Sequence, residues 1–73
     1  MTELRLHRDL YDGEAVDEAI KTFERFATIE RAQDDEHWIV RLSADAPPRE
    51  RRVAGELGNY ALGLTIRRSK GAR

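Results

Sequence analysis

Residues 49–66, RERRVAGELGNYALGLTI, decide the fold because they fit two secondary structures. Read with a helical period, the stretch places five apolar side chains on one face: Val53, Leu57, Tyr60, Ala61 and Leu64. Its last apolar residues also alternate with small or polar ones, as in a strand: Leu62, Leu64 and Ile66. Three glycines count against the helix, because each costs about 1 kcal/mol relative to Ala: Gly55, Gly58 and Gly63.

The two interpretations give different topologies. One continuous helix predicts β-α-β-β-α, a small α+β domain with an antiparallel hairpin. A helix that stops near Gly58 and Asn59, followed by a fourth strand, predicts the ferredoxin-like order β-α-β-β-α-β. We predict the first topology and keep the second as its alternative.

A continuous helix would carry more apolar surface than the domain can cover. Leu62 and Ile66 would point roughly away from the stripe that contains Val53. The surplus surface would then be an interface with a second copy or with another protein. We predict that this interface comprises Gly55, Gly58, Tyr60, Leu62 and Ile66. The glycines would let another backbone come near, or they mark only a weak helix or the start of a strand.

The remaining elements follow from the hydrophobic periodicity. Residues 2–7 alternate as a strand does, and Asp12 can cap a helix over residues 14–27. Residues 28–32 and 37–43 then predict a hairpin with a polar turn longer than two residues.

Trp38 has two interpretations. On a hairpin strand it is expected to cover the core, because aromatic side chains favour half-buried strands. The alternative is a stacking platform for a flavin or a nucleotide base.

Length and composition limit the chain to one small domain. It has 73 residues, of which 40% are hydrophobic and 37% are charged. We predict one domain over residues 1–66 and a basic flexible tail over residues 67–73. The chain has no Cys, which excludes disulfides and thiolate metal sites. Because small domains are often stabilised by a partner, we expect a homo-oligomer or a larger complex.

Charge is distributed unevenly along the chain. Residues 1–48 hold 6 basic and 12 acidic residues, whereas residues 49–73 hold 7 basic and 2 acidic ones. Either the two halves attract each other, or the basic end meets an acidic partner. A nucleic-acid interface would use Arg49, Arg51, Arg52, Arg67, Arg68, Lys70 and Arg73. The net charge of −1 argues against it.

Membrane and secretory segments are not expected. No apolar run approaches the ~20 residues of a membrane span. Residues 1–10 alternate charged residues with Leu, unlike a secretory signal. We therefore expect a cytoplasmic protein without a membrane partner.

Few residues suggest catalysis. His7 and Asp9 could form a dyad, but Ser43 and Ser69 are the candidate nucleophiles and neither has a typical context. The acidic run of residues 34–36 lacks the alternating ligands and Gly of a calcium loop, so a solvated turn is expected. We predict no enzymatic activity, no metal and no cofactor.

The order of elements resembles the small HxsD-type proteins of His-Xaa-Ser repeat peptide systems. The resemblance covers about residues 5–66. It is carried by Leu10-Tyr11, the Ala-containing helix of residues 14–20, the hairpin closing on residues 38–42, and the Glu56-x-x-Asn59-x-x-Leu62 segment. This chain differs in Gly58 and Gly63, where the family has bulkier residues, and in stopping at Arg73.

The resemblance implies an accessory role. Such proteins are associated with radical S-adenosylmethionine enzymes that modify a short peptide, so the iron–sulfur chemistry would lie on the partner. The sequence thus predicts a non-catalytic adaptor that acts by protein–protein binding. The alternative is an oligomeric α+β domain that binds a flavin or nucleotide between subunits, with Trp38 or His37 at the pocket.

Overall fold

The computed structural model describes the backbone of residues 1–71 and side chains through Arg68. Two helices cover one face of a three-stranded sheet. The elements are β1 (Thr2–His7), α1 (Gly13–Phe23), β2 (Thr28–Gln33), β3 (His37–Ser43) and α2 (Pro47–Gly71). The α+β class and the β-α-β-β-α order are confirmed, and the ferredoxin-like alternative with a fourth strand is wrong.

The sheet has the strand order β1-β3-β2, with β3 antiparallel to both neighbours. Leu6 lies opposite Trp38 and Leu4 opposite Val40, so these side chains share the face that the helices cover. Trp38 is partly buried and packs against the core, as the sequence predicts. The opposite face carries charged side chains around Ile39.

The hairpin is confirmed, and its turn spans residues 34–36. Asp34 holds this turn, because its Oδ1 accepts hydrogen bonds from the amides of Glu36 at 2.8 Å and His37 at 2.6 Å. The acidic run is therefore a turn stabilised by one of its own carboxylates.

Helix α1 begins as predicted and ends early. The Asp12 carboxylate accepts a hydrogen bond from the Ala15 amide at 3.1 Å, which caps the helix. The helix was expected to reach residue 27 but ends at Phe23. The Phe26 amide instead bonds to the Phe23 carbonyl, a tighter turn that leads directly into β2.

Helix α2 is continuous through all of its glycines. Val53, Ala54, Leu57 and Ala61 are buried in the core, and this burial outweighs the weak helix propensity. The helix also runs through residues 67–71, which corrects the predicted tail. Arg68 lies 2.9 Å from Glu14 and 3.7 Å from Asp12, so the basic end of α2 pairs with the acidic start of α1. Residues 72–73 lie outside the described residues.

A buried carboxylate joins the start of α2 to β1. Glu50 is 8% exposed. Its oxygens accept hydrogen bonds from the Thr2 hydroxyl at 2.6 Å and the Ala44 amide at 3.3 Å, and they lie 3.1 Å from the Met1 ammonium. The Thr2 hydrogen bond, aided by the Met1 and Ala44 groups, holds the pKa of Glu50 below its ordinary value although burial raises it.

We expect Glu50→Gln to lower stability and to weaken its dependence on acid. Because the pKa of Glu50 is lower in the folded than in the unfolded chain, the stabilisation by ionised Glu50 is fully present above its ordinary pKa of about 4.5. That stabilisation is lost as the pH falls through the lowered pKa. Urea unfolding midpoints between pH 7 and pH 3 measure both effects.

Glu56→Gln is the matched control, since Glu56 is exposed two turns further along α2. Its curve should stay close to that of the native chain. Parallel pH profiles for the native chain and Glu50→Gln would contradict the assignment.

Candidate functional site

The side of α2 that faces away from the core carries an exposed apolar surface. We call Gly55, Asn59, Leu62 and Ile66 the outer stripe. These residues recur every three or four positions, so a period of about 3.6 residues aligns them along the helix. Leu62 is 38% exposed and Ile66 is 50% exposed. The structure thus places three of the five predicted interface residues together, with Asn59 as an addition that the hydrophobic pattern missed.

The glycines of α2 leave the helix surface open. Apart from the adjacent residues and the backbone of α2 itself, a Cβ built on Gly55, Gly58 or Gly63 meets no atom within 4 Å. Within the described chain, none of them is needed for close packing. Gly58 borders the outer stripe, so a neighbouring helix could approach the α2 backbone there.

Tyr60 belongs to a different surface. It is 38% exposed and packs edge-to-face against Phe23, with ring centroids 5.8 Å apart. Phe26, 43% exposed, lies beside Phe23 and lines a groove of about 520 Å³ along the first turns of α2. Tyr60 therefore lies where α1 meets α2, apart from the outer stripe, and its place in an interface stays a prediction.

Trp38 is enclosed by contacts from its own chain. Its indole N–H donates to the Tyr11 carbonyl at 2.9 Å. The guanidinium groups of Arg8 and Arg31 lie over the ring, 4.6 Å and 4.9 Å from a ring centroid. A stacked flavin or base would have to displace at least one of them, which disfavours the stacking alternative.

Gly13 is a glycine that close packing requires, a role that no pattern in the sequence indicates. A Cβ on Gly13 would lie 2.9 Å from Cζ2 of Trp38. A Gly that follows an N-cap residue is common, so the sequence does not indicate this contact. The contact depends on how α1 crosses β3.

The histidines do not form a catalytic arrangement with Ser43. His7 Nδ1 accepts the Asp9 amide at 3.2 Å, so its lone pair is already used. His37 lies next to His7, with ring centroids 5.2 Å apart, and its Nδ1 is 3.3 Å from Asp34. Ser43 lies at the opposite end of β3 from His37. Among the residues described, no three His, Cys, Asp or Glu side chains form a group that could hold a metal ion.

The basic residues of α2 do not form one patch. Arg49, Arg51 and Arg52 lie in its first turns, whereas Arg67 and Arg68 lie more than three turns later. Arg68 is engaged by Glu14. The side chain of Lys70 and all of Arg73 lie outside the described part of the chain. This separation does not favour a nucleic-acid interface.

Comparisons with protein-family models, with curated proteins and with solved structures find no match. Along the described backbone, no helix combines the length and apolarity of a membrane span.

We expect Gly13→Ala and Gly55→Ala to change stability in opposite directions. Gly13→Ala forces Trp38 to shift and should destabilise the fold by about 1–3 kcal/mol. Gly55→Ala adds a methyl group in open space and should stabilise α2 by about 1 kcal/mol. Urea unfolding at low protein concentration measures both, and Gly63→Ala serves as a second open-space variant.

Equal destabilisation by Gly13→Ala and Gly55→Ala would contradict the packing described here.

Proposed function

We propose that this chain is a small non-catalytic adaptor whose outer stripe binds an apolar helix of a partner protein. The observation that carries the proposal is the pairing of exposed Leu62 and Ile66 with an open, glycine-containing helix surface at Gly55 and Gly58.

The stripe suits a helical partner for two reasons. Large apolar side chains occupy the C-terminal half. Because Leu62 is 38% and Ile66 50% exposed, burying what remains exposed would contribute about 0.6–1.5 kcal/mol each. Small residues occupy the N-terminal half, where a partner backbone can come close. A helix packed across both halves would contact the protruding side chains of Leu62 and Ile66 at one end and the shallow depression at the glycines at the other.

A second copy of the chain is the other candidate occupant. In an antiparallel pair of α2 helices, Gly55 would lie opposite Ile66 of the second copy, and Asn59 opposite Leu62. The stripe is therefore complementary to itself in size.

The resemblance to HxsD-type proteins suggests one specific partner class. On that resemblance alone, the partner would be a radical S-adenosylmethionine enzyme of a peptide-modification system, and the chain would present the peptide or the enzyme without taking part in the chemistry. The cytoplasmic location remains a prediction tied to this role.

We expect Leu62→Glu to abolish partner binding and leave the fold intact, because a charge on the outer stripe cannot be buried without a counter-charge. Affinity capture with native and Leu62→Glu chains, followed by reconstitution with the purified partner, tests this. Binding should weaken by about tenfold or more, and circular dichroism should be unchanged. Arg67→Glu, an exposed change outside the stripe, is the control for added negative charge.

Two results would contradict the proposal. One is a reconstituted partner that binds native and Leu62→Glu chains equally. The other is a native chain that captures no partner and also sediments as a monomer at every concentration. Self-association lost in Leu62→Glu would assign the stripe to a second copy.

A further inference from the structure

The edge of β1 has unpaired backbone groups. The Arg8 amide donates to the Glu36 carbonyl of the β3 side at 2.8 Å. Backbone groups alternate in direction along a strand, so Leu6 and Leu4 also face β3. Glu3 and Arg5 then direct their N–H and C=O groups outward, and within residues 1–71 these groups have no hydrogen-bond partner.

We propose that β1 of a second copy pairs antiparallel with β1 about a two-fold axis at Leu4, which joins the two sheets into one of six strands. The proposal goes beyond the outer stripe, because the edge of β1 lies in the plane of the sheet and the stripe lies on the far side of α2.

Charge selects the register of this pairing. Only registers that place outward groups opposite one another can form the ladder. One centred on Leu4 puts Glu3 opposite Arg5 of the second copy, twice by symmetry. One centred on Arg5 would oppose the two Arg5 side chains, and like charges directly opposite destabilise a pair. The Leu4-centred register is therefore favoured.

The Leu4-centred register also covers apolar surface. Leu4 is partly buried on the helix-covered face, where it packs against the core. At the axis, the two Leu4 side chains would lie directly opposite each other. Isologous pairing of this kind closes the assembly at two copies.

The other edge of the sheet lacks this complementarity. The Asp34 amide donates to the His37 carbonyl, which fixes the outward residues of β2 as its odd-numbered ones. A two-fold axis at Glu30 would oppose two Glu30 side chains, and an axis at Arg31 would oppose two Arg31 side chains. An axis at Ala32 would set Glu30 against Asp34. Each of these three registers of β2 with itself brings like charges together, whereas the Leu4-centred register of β1 brings opposite charges together.

Arg5→Pro and Arg5→Ala test the pairing by sedimentation across a wide range of concentration. The outward N–H of Arg5 is not used within the chain, and Pro is tolerated at such edge positions. We expect the native chain to dimerise, Arg5→Ala to dimerise about threefold to tenfold more weakly, and Arg5→Pro to remain monomeric.

Charge reversal gives an independent test that spares the backbone. Glu3→Arg should weaken the dimer by about tenfold or more. Adding Arg5→Glu to it restores both cross-axis pairs and should return the dimer to within about threefold of the native affinity. Because Glu3 also lies 3.2 Å from Arg41 and Arg5 lies 3.1 Å from Asp34, urea unfolding of the monomers is measured alongside.

Several outcomes would overturn the proposal. The proposal is contradicted if the native chain is monomeric at every concentration, or if the Arg5→Pro variant still dimerises. A dimer lost in Leu62→Glu and kept in Arg5→Pro places the second copy on the outer stripe instead. Open-ended polymers would mean that β1 pairs with β2 rather than with itself. If Arg5→Pro fails to fold, failure of the charge-reversed double variant to recover the dimer refutes the register.

Discussion

The fold depends on the burial of one side of α2 against a sheet that has a single covered face. Three strands and an eleven-residue α1 could not by themselves enclose Val40 and Leu42, which are fully buried. Leu57 and Ala61 of α2 complete that enclosure, and both are fully buried. Alanines on both helices, among them Ala15 and Ala19 of α1, keep the helices close to each other and to the sheet. The position of α2 therefore determines which side chains of the sheet are buried and which face of α2 stays exposed.

Polar contacts then adjust the ends of the elements around this core. Glu50 links the start of α2 to β1, and Arg68 links its later turns to the start of α1. Asp34 holds the hairpin turn. The hydrogen bond from the Glu36 amide, with those from His37, holds the pKa of Asp34 below its ordinary value although desolvation raises it. Of the two acids, Glu50 is buried and so depends on having every oxygen satisfied, since an unpaired buried carboxylate is costly.

Elements with a periodic hydrophobic pattern were predicted correctly from the sequence. Features that depend on contacts between different elements were not. The alternation of residues 2–7 and 37–43 identified β1 and β3 with their bounds, and the Asp12 cap was read correctly. The predicted end of α1 was wrong, because Phe26 continues the helical apolar pattern although the chain already turns towards β2 at this residue. Leu62 and Ile66 were correctly expected to be exposed, since helical geometry alone separates them from Val53. Tyr60 was grouped with Leu62 although the helical period places it on the side of Val53. Gly13 was not identified, because its contact with Trp38 depends on how α1 crosses β3, which no local pattern reveals.

The order of the strands in the sheet has a consequence for how the chain folds. β2 and β3 are joined by three residues, so their pairing closes a short loop. β1 pairs with a strand about thirty positions later in the chain, so its pairing closes a much longer loop. We infer that the hairpin and the helices assemble first and that β1 docks afterwards along the exposed side of β3. Once docked, β1 is held by buried Leu6 and by the hydrogen bond from Thr2 to Glu50, whereas β2 has no buried residue. Amide exchange in β1 and β2 would report how each edge strand opens, separately from global unfolding.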